Sequence, residues 1–315
     1  MKAVVRERYG AAGDVVEIVD VDRPAPGPGE VLLRVCAAGL NSADWRLTAA
    51  VPALARLGEG LRAPRNRRLG MDVSGIIDAV GEGVTAFAVG DAVFGEARGS
   101  FAEYVVAPVG TIAFAPSSIP LRDAAVLAIA GSTALQALRR GGDLTGKRVL
   151  VIGAGGGVGS FVVGLAASRG AVVTAVCSTD KVEPVRALGA SRVIDYTRET
   201  ISGSYDLIVE LAVAASLRVT RSWLADGGSL VLSSGDGGRI VGPLARMLGS
   251  VVFANTSVLS SRVSADDLRE LAAAVDAGEL RPVISASYPL AEAAAAIEQL
   301  GREKTRGKVV LDVAA

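Results

Sequence analysis

Three glycines at three-residue spacing, Gly153, Gly156 and Gly159, follow an apolar run and open a predicted helix. A helix start offers backbone N–H groups and about half a positive charge to a diphosphate. Glycines let the diphosphate approach because they carry no side chain, and the last one allows close packing of helix on strand. The turn, which includes Gly157 and Val158, therefore predicts a dinucleotide-binding site, although it is one residue longer than the common G-x-G-x-x-G pattern.

The end of the next strand bears on which dinucleotide is bound. An NAD site usually places Asp or Glu there to hold the ribose hydroxyls, but this chain has Cys177. Hydroxyl and ammonium donors suited to a 2′-phosphate follow it: Ser178, Thr179 and Lys181. These donors favour NADPH. The adjacent Asp180 argues against NADPH, and Lys181 is alternatively a solvated lysine with no role in binding. Tyr196, after the next strand, is either a contact to the adenine or phosphate or a packing residue.

The composition excludes several mechanisms, because the 315 residues include no histidine and only two cysteines, Cys36 and Cys177. A Ser/His/Asp or Cys/His triad needs an imidazole, and a tetrahedral zinc site needs several His or Cys ligands. We therefore expect no metal, and the low cysteine content suggests a reducing cytoplasm. A net charge of zero argues against nucleic acid. No uncharged run is long enough for a membrane span, and the charged N-terminus does not resemble a signal or transit peptide.

Two patterns of elements position these residues. As far as about residue 120, short β-like runs are separated by Gly and Pro, which predicts a compact β-rich domain such as a barrel. From about residue 121, strands that are apolar throughout alternate with helices, which predicts a parallel sheet covered on both faces. The fold class is therefore α/β. The stretch 49–69 is helix-like, contains arginines at 56, 62, 65, 67 and 68, and is expected to be either a substrate-facing loop or a solvated one.

Blocks along nearly the whole chain resemble the medium-chain dehydrogenase/reductase superfamily, in its zinc-independent quinone oxidoreductase branch. They are AAGLNSADWR (37–46), LGMDVSGIIDAVGEGVTAFAVGDAVFG (69–95), GSFAEYVVAP (99–108), GSTALQAL (131–138), the glycine turn, LGASRVIDYTRE (188–199) and RGKVVLDV (306–313). The resemblance implies a GroES-like partial β-barrel from residues 1–120 and 285–315. A Rossmann domain of doubly wound parallel sheet, residues 121–284, is inserted between them.

The resemblance also implies chemistry without zinc. Zinc-dependent relatives carry Cys where this chain has Asn41, and Gly-His-Glu where it has Gly70, Met71 and Asp72. Hydride transfer to a quinone or enone needs less help than alcohol oxidation, since conjugation already spreads the developing charge. We therefore expect NADPH-dependent reduction of a small-molecule quinone or other α,β-unsaturated carbonyl.

By resemblance, Asn41 and Asp44 lie beside the nicotinamide ribose and substrate; from the residues alone, they would cap a helix. Arg46 either helps to place an oxyanion or faces water. The resemblance also places Thr133 and Lys308 near the cofactor. Three residues end a parallel strand, where such sheets bind ligands, and are expected there too: Ser233, Ser234 and Gly235. No tyrosine in the 41–46 loop offers a proton donor.

Two alternatives remain open. One is a dinucleotide-binding protein with little turnover, structural or RNA-interacting. The other is an enoyl reductase acting on carrier-bound intermediates, whose phosphopantetheine or acidic carrier would meet the arginine-rich stretch. The apolar segment 249–258 is expected to be an edge strand that pairs two subunits, which predicts a homodimer.

Overall fold

The fold is taken from a computed structural model, which describes residues 1–51, 56, 60–233, 253, 255–259, 262–302 and 306–313. These residues form two compact units. Unit 1 comprises Met1–Ser132, Val263–Gly278 and Ile284–Ala315, and unit 2 comprises Thr133–Arg262 and Glu279–Val283. None of the helices in the described residues has the length and apolar character of a membrane span.

The described strands are β1 (Lys2–Arg6), β2 (Val16–Asp20), β3 (Glu30–Leu40), β4 (Asp72–Val80), β5 (Ala92–Glu96), β6 (Tyr104–Pro108), β7 (Ile112–Phe114), β8 (Arg148–Ile152), β9 (Val172–Cys177), β10 (Arg192–Asp195), β11 (Tyr205–Glu210), β12 (Leu224–Ser233), β13 (Thr256–Leu259), β14 (Ile284–Pro289) and β15 (Lys308–Asp312). The described α-helices are α1 (Ala12–Val15), α2 (Ser42–Ala49), α3 (Leu121–Ala124), α4 (Ala128–Arg139), α5 (Gly157–Ser168), α6 (Val182–Ala187), α7 (Leu217–Ser222), α8 (Ala265–Asp276) and α9 (Ala293–Arg302).

Unit 1 is built on a seven-stranded sheet in the order β14-β15-β3-β4-β5-β7, with β6 also paired to β3. Strands β1 and β2 form a separate antiparallel pair. Apolar side chains on β3, β4 and β5 form one buried core, and a second core lies where β15 and α9 pack. This β-rich unit contains the returning C-terminal strand, as the GroES-like resemblance implies.

Unit 2 holds a six-stranded sheet in the order β10-β9-β8-β11-β12-β13, and every strand pairing in it is parallel. Numbered from β8, this is the 3-2-1-4-5-6 order of a Rossmann fold. Strand β8 is buried along Val149–Ile152, which explains why its sequence is apolar throughout. The α/β fold class and the Rossmann sheet expected from the sequence are confirmed.

Several element boundaries differ from the sequence prediction. The stretch 121–140 holds two separate helices, α3 and α4, and the Asp72 carboxylate accepts a hydrogen bond from the Ile129 N–H in the first turn of α4. Strands β7 and β14 were not predicted at all. Helix α8 groups with unit 1, whereas the sequence boundary placed it in the Rossmann domain. It is held there by the Ser118 N–H, which donates to Asp276 over 2.8 Å.

Candidate active site

Three polar residues meet at one end of three adjacent strands in unit 1. Asn41 follows the last residue of β3, while Asp72 and Lys308 begin β4 and β15, which flank β3 on its two sides. Both neighbours run antiparallel to β3. Their first residues therefore lie beside its end. The sheet register thus brings together residues that are separated by up to 267 positions along the chain.

These three side chains form a closed hydrogen-bonded group, which we call the polar cluster. The Lys308 ammonium donates to Asn41 Oδ1 over 2.7 Å and lies 3.1 Å from Asp72 Oδ2. Asn41 Nδ2 donates to the same Asp72 oxygen over 3.0 Å. The side chains of Lys308 and Asp72 are 3% and 0% exposed. A buried charge is tolerated only when it is paired, so this ion pair fixes the amide of Asn41 in one orientation.

The second oxygen of Asp72 accepts from the Ile129 N–H over 3.0 Å, at the start of α4. Both oxygens of this carboxylate are therefore engaged. The positive end of the helix and the ammonium of Lys308 both favour its negative charge.

The donor set of the polar cluster does not suit zinc. Zinc in proteins takes three or four Cys, His or carboxylate ligands, and the cluster offers one carboxylate, Asp72, already paired with a cation. A metal ion at this place would meet the Lys308 ammonium. Among the residues that the structure describes, no group of three or more His, Cys, Asp or Glu side chains is placed to hold a metal.

Asp44 lies directly behind the polar cluster in the first turn of α2. Its Oδ2 accepts from the backbone N–H of Asn41 over 2.7 Å, so it fixes the backbone from which the Asn41 side chain extends. Burial, with a smaller contribution from the nearby Asp72, raises the pKa of Asp44 to about 7 against the opposing effects of the Asn41 hydrogen bond and of the Lys308 and Arg6 cations. At neutral pH this carboxyl is therefore partly protonated.

Arg46 is half-buried in α2, and its carbonyl accepts the hydrogen bond of Val51 N–H at the end of that helix. Its neighbour Trp45 packs on Gly301 so closely that a Cβ there would come 2.0 Å from Nε1 of the indole. Trp45 is therefore a packing residue that holds α2 against α9. The structure does not place Arg46 in the polar cluster.

The glycine turn of unit 2 has the geometry of a diphosphate cradle. Gly153, at the end of β8, has a φ of +87°, which favours glycine. Gly156 caps α5, and among the described residues a Cβ on it would meet the Gly153 carbonyl oxygen alone, at an ordinary contact distance of 3.4 Å. Gly157, Val158 and Gly159 form the first turn of α5, whose N–H groups lack partners within the helix. The turn thus fits the diphosphate of a dinucleotide.

Gly159 serves packing instead. A Cβ on this residue would come 2.2 Å from the Gly153 carbonyl oxygen and 2.8 Å from the Ala154 Cα. Only glycine lets the helix approach the strand this closely, which is the role expected of the last glycine.

Lys181 is 6% exposed, and its aliphatic chain lies over the glycine turn: a Cβ on Gly155 would come 2.5 Å from Lys181 Cδ. This lysine is therefore not the solvated residue of the alternative interpretation. The neighbouring hydroxyls are engaged within the chain, since Ser178 donates to Asp180 and Thr179 donates to Asp195, each over 2.5 Å. Tyr196 is 47% exposed, as a ring available for stacking would be.

The remaining predicted site residues are less well defined. Thr133 is half-buried on α4. The backbone of Ser233 ends β12, at the carboxyl edge of the sheet, while its side chain, Ser234 and Gly235 lie outside the described residues. Sequence reasoning mentioned Asp72 only as a substitute for a zinc ligand and missed its pairing with Lys308. The available signal was that Asn41 and Asp72 both occupy positions that hold zinc-site residues in the zinc-dependent relatives.

Comparisons with known proteins agree with this geometry. Residues 27–117 match the alcohol dehydrogenase GroES-like domain, and residues 188–311 match the zinc-binding dehydrogenase model. The mouse mitochondrial NAD(P)H oxidoreductase RTN4IP1 is 32% identical, with 91% of this chain and 82% of the relative covered. The Arabidopsis thaliana NADPH-dependent alkenal/one oxidoreductase is 31% identical, covering 99% and 79%.

Among solved structures, the quinone oxidoreductase from Coxiella burnetii superposes with a TM-score of 0.87 at 29% identity, over 100% of this chain and 99% of that one. The two domain matches, the relatives and this solved structure together cover nearly the whole chain. The chain therefore belongs to the medium-chain dehydrogenase/reductase superfamily, in its quinone oxidoreductase branch.

Proposed function

We propose that this protein is a zinc-independent reductase that uses NADPH to reduce quinones or other α,β-unsaturated carbonyls. The relatives named above act as NADPH-dependent alkenal/one reductases and quinone oxidoreductases. The observation that carries the proposal is the buried polar cluster, in which Lys308 provides a fixed positive charge where a metal would otherwise be needed.

NADPH, when bound, supplies a hydride to the acceptor. We assign its diphosphate to the turn from Gly153 to Gly159 and its 2′-phosphate to Lys181, whose aliphatic chain lies over that turn. Arginine or lysine beside a ribose is the feature that distinguishes NADP from NAD sites.

The chain's own residues prepare the reaction by fixing charge and orientation. After the hydride arrives, negative charge develops on the acceptor oxygen, and a preorganised donor stabilises it. Lys308 has three N–H donors; two are used on Asn41 and Asp72, and we assign the third to the cofactor or the acceptor oxygen. Asp44 acts by positioning Asn41. The proton that completes the reduction comes from water.

The absence of zinc from the reaction is supported by the chemistry of the polar cluster. Asp72 is neutralised by Lys308 and has no oxygen left for a metal. Conjugated acceptors delocalise the developing negative charge themselves. The Lys308 cation and the cofactor are therefore sufficient for the reduction without a metal.

We also propose a cytoplasmic homodimer. Strand β13 is the outer strand of the described part of the Rossmann sheet, and an unpaired edge is suited to pairing with a second copy. The predicted pairing segment 249–258 overlaps β13, although residues 249–252 and 254 lie outside the described residues. Cys36 and Cys177 are both free thiols, which suits a reducing compartment.

The test is an acceptor panel monitored by NADPH oxidation at 340 nm, with 1,4-benzoquinone, an enal and an enone. We expect turnover with at least one conjugated acceptor, faster with NADPH than with NADH. A Lys308→Met variant is expected to lose activity, and Lys308→Arg to regain part of it. No oxidation across the panel would favour a binding protein with little turnover.

A further inference from the structure

One buried carboxylate joins two loops at the carboxyl edge of the Rossmann sheet. It belongs to Asp195, the last residue of β10, which lies opposite Cys177 at the end of β9. Asp195 Oδ2 accepts from the Thr179 hydroxyl over 2.5 Å, in the loop that follows β9. Asp195 Oδ1 accepts from the hydroxyl and the N–H of Thr197, over 2.7 and 3.0 Å, in the loop that follows β10. We call these contacts the Asp195 bridge.

The Asp195 bridge is buried and ionised. Asp195 is 6% exposed. Hydrogen bonds from Thr179 and Thr197 hold the pKa of its carboxyl below the ordinary value, against the opposing effect of burial. A hydrogen bond to an ionised acceptor is stronger than one between neutral groups. The Tyr196 N–H also donates to the Cys177 carbonyl over 3.1 Å, so the backbone joins the two loops as well.

The loop after β9 carries Lys181, to which we assign the 2′-phosphate. Thr179 begins and Lys181 ends one 3-10 turn, in which the Lys181 N–H donates to the Ser178 carbonyl over 2.9 Å. The Asp195 bridge holds the first residue of this turn, so it also fixes the backbone from which the lysine extends. The hydroxyl protons of Ser178 and Thr179 are both donated to carboxylates of the chain. Recognition of a 2′-phosphate therefore depends on where the Lys181 ammonium is held.

We propose that Asp195 determines the preference for NADPH over NADH by positioning Lys181 through Thr179. A side chain that must be ordered when the ligand binds gives a weaker site than one that is already in place. Without the Asp195 bridge, the turn and its lysine would have to be ordered by the 2′-phosphate. NADH has no 2′-phosphate, so its binding does not depend on the bridge. The proposal rests on the use of NADPH proposed above and specifies what sets the cofactor preference.

The negative charge of Asp195 has an effect of its own, because an anion repels a phosphate. Asp195→Ala removes both the charge and the bridge. Asp195→Asn removes the charge but keeps one acceptor and adds a donor for the threonine hydroxyls, so it keeps part of the bridge. Loss of the charge alone would strengthen NADPH binding in both variants, whereas loss of the bridge weakens it in Asp195→Ala. The two variants therefore separate positioning from charge.

The test is a fluorescence titration of each variant with NADPH and with NADH. We expect the Kd for NADPH to rise about fivefold or more in Asp195→Ala, which is part of the roughly tenfold or more that a hydrogen bond to a charged group contributes. The Kd for NADH should stay the same, because no contact to NADH depends on Lys181. Asp195→Asn should keep most of the NADPH affinity.

The matched control is Asp143→Ala, in the same unit. Asp143 Oδ1 accepts from the N–H and the hydroxyl of Thr145 over 3.0 and 2.9 Å, which is the same Asp-x-Thr arrangement as in the loop after β10. Asp143 precedes β8 and so lies at the opposite edge of the sheet. This control should bind both cofactors as the wild type does.

Loss of NADPH affinity in Asp195→Ala, with NADH binding intact, supports the proposal. Equal losses for the two cofactors, an unchanged or lower Kd for NADPH, or the same loss in Asp195→Asn or Asp143→Ala overturns it. Should Asp195→Ala fail to fold, Thr179→Val removes the same hydrogen bond with little change in volume and is expected to give the same loss. A wild type that binds both cofactors equally overturns the 2′-phosphate assignment together with this proposal. NADPH oxidation with 1,4-benzoquinone, measured in parallel, reports separately on the reductase function.

Discussion

Replacing Asp44 with asparagine removes a buried carboxyl whose pKa is about 7. The folded-state pKa is higher than the unfolded value of roughly 3.9, so the folded protein binds this proton more tightly. Its contribution to stability is fully present below the unfolded pKa and is lost as the pH rises through the folded pKa. The free energy of unfolding of the wild type should therefore fall as the pH rises through the pKa of Asp44. The Asp44→Asn variant has no ionisable group at this position, so this contribution to the fall should be absent.

The magnitude follows from the shift. About three pKa units correspond to about 4 kcal/mol at roughly 1.4 kcal/mol per unit. Between pH 5 and pH 8, the expected loss of unfolding free energy is about 2.5 kcal/mol. This is less than the full amount because part of the loss occurs below pH 5 and because the loss levels off above the folded-state pKa. Asparagine keeps an oxygen that can accept from the Asn41 N–H, so the Asn41 backbone should stay in place.

The assay is urea unfolding of wild type and Asp44→Asn at several pH values, with the difference in unfolding free energy as the readout. The unfolding free energy of the variant minus that of the wild type should increase by about 2.5 kcal/mol from pH 5 to pH 8. Asp276→Asn is the matched control in the same unit: hydrogen bonds from Ser118 lower the pKa of Asp276, so its difference should stay flat over this range. A flat difference for Asp44→Asn would refute the burial argument.

Four other substitutions test the remaining parts of the site. Lys308→Met leaves Asp72 buried without its cation and should destabilise the protein by about 3 to 5 kcal/mol in urea unfolding, whereas an unchanged midpoint would contradict the buried ion pair. Lys181→Ala should weaken NADPH by about 1.5 to 3 kcal/mol in fluorescence titration and leave NADH almost unaffected; equal losses would exclude the phosphate role. Gly159→Ala should destabilise the fold by about 1 to 3 kcal/mol through backbone overlap, while Gly156→Ala should fold normally and bind NADPH poorly; normal binding by Gly156→Ala would remove the diphosphate from this turn.

Much of the fold could be predicted because local pattern and topology agree. Strands β8 and β9 are mostly apolar because both faces of the parallel sheet are covered, and all their residues except the first of each strand are buried. Strand β14 could not be predicted in this way, because its residues alternate between half-buried and exposed positions and include two serines and an alanine. The hydrogen bond between Asp72 and the start of α4 joins residues 57 positions apart, which no local pattern contains.

The residues expected to bind the cofactor could be predicted from the sequence for the same reason. The glycine turn lies in one strand-turn-helix unit, and Lys181 follows the next strand. The polar cluster was not, because its geometry arises from the register of three strands that are distant in sequence. Asn41 and Lys308 were named separately from the family resemblance. Only the fold shows that Asp72 joins them and that Asp44 supports them through the backbone.

Metal-independent hydride transfer from NADPH to a conjugated acceptor can be measured by isotope transfer in metal-depleted protein. The protein is treated with a chelator, its metal content is measured, and it is mixed with NADPH deuterated at C4 on the transferred face and a simple enone. We expect one deuterium at the β-carbon of the product, at a rate that added zinc does not increase. Loss of activity on chelation and its recovery with zinc would show that a metal takes part, and product without deuterium would show that NADPH is not the hydride donor.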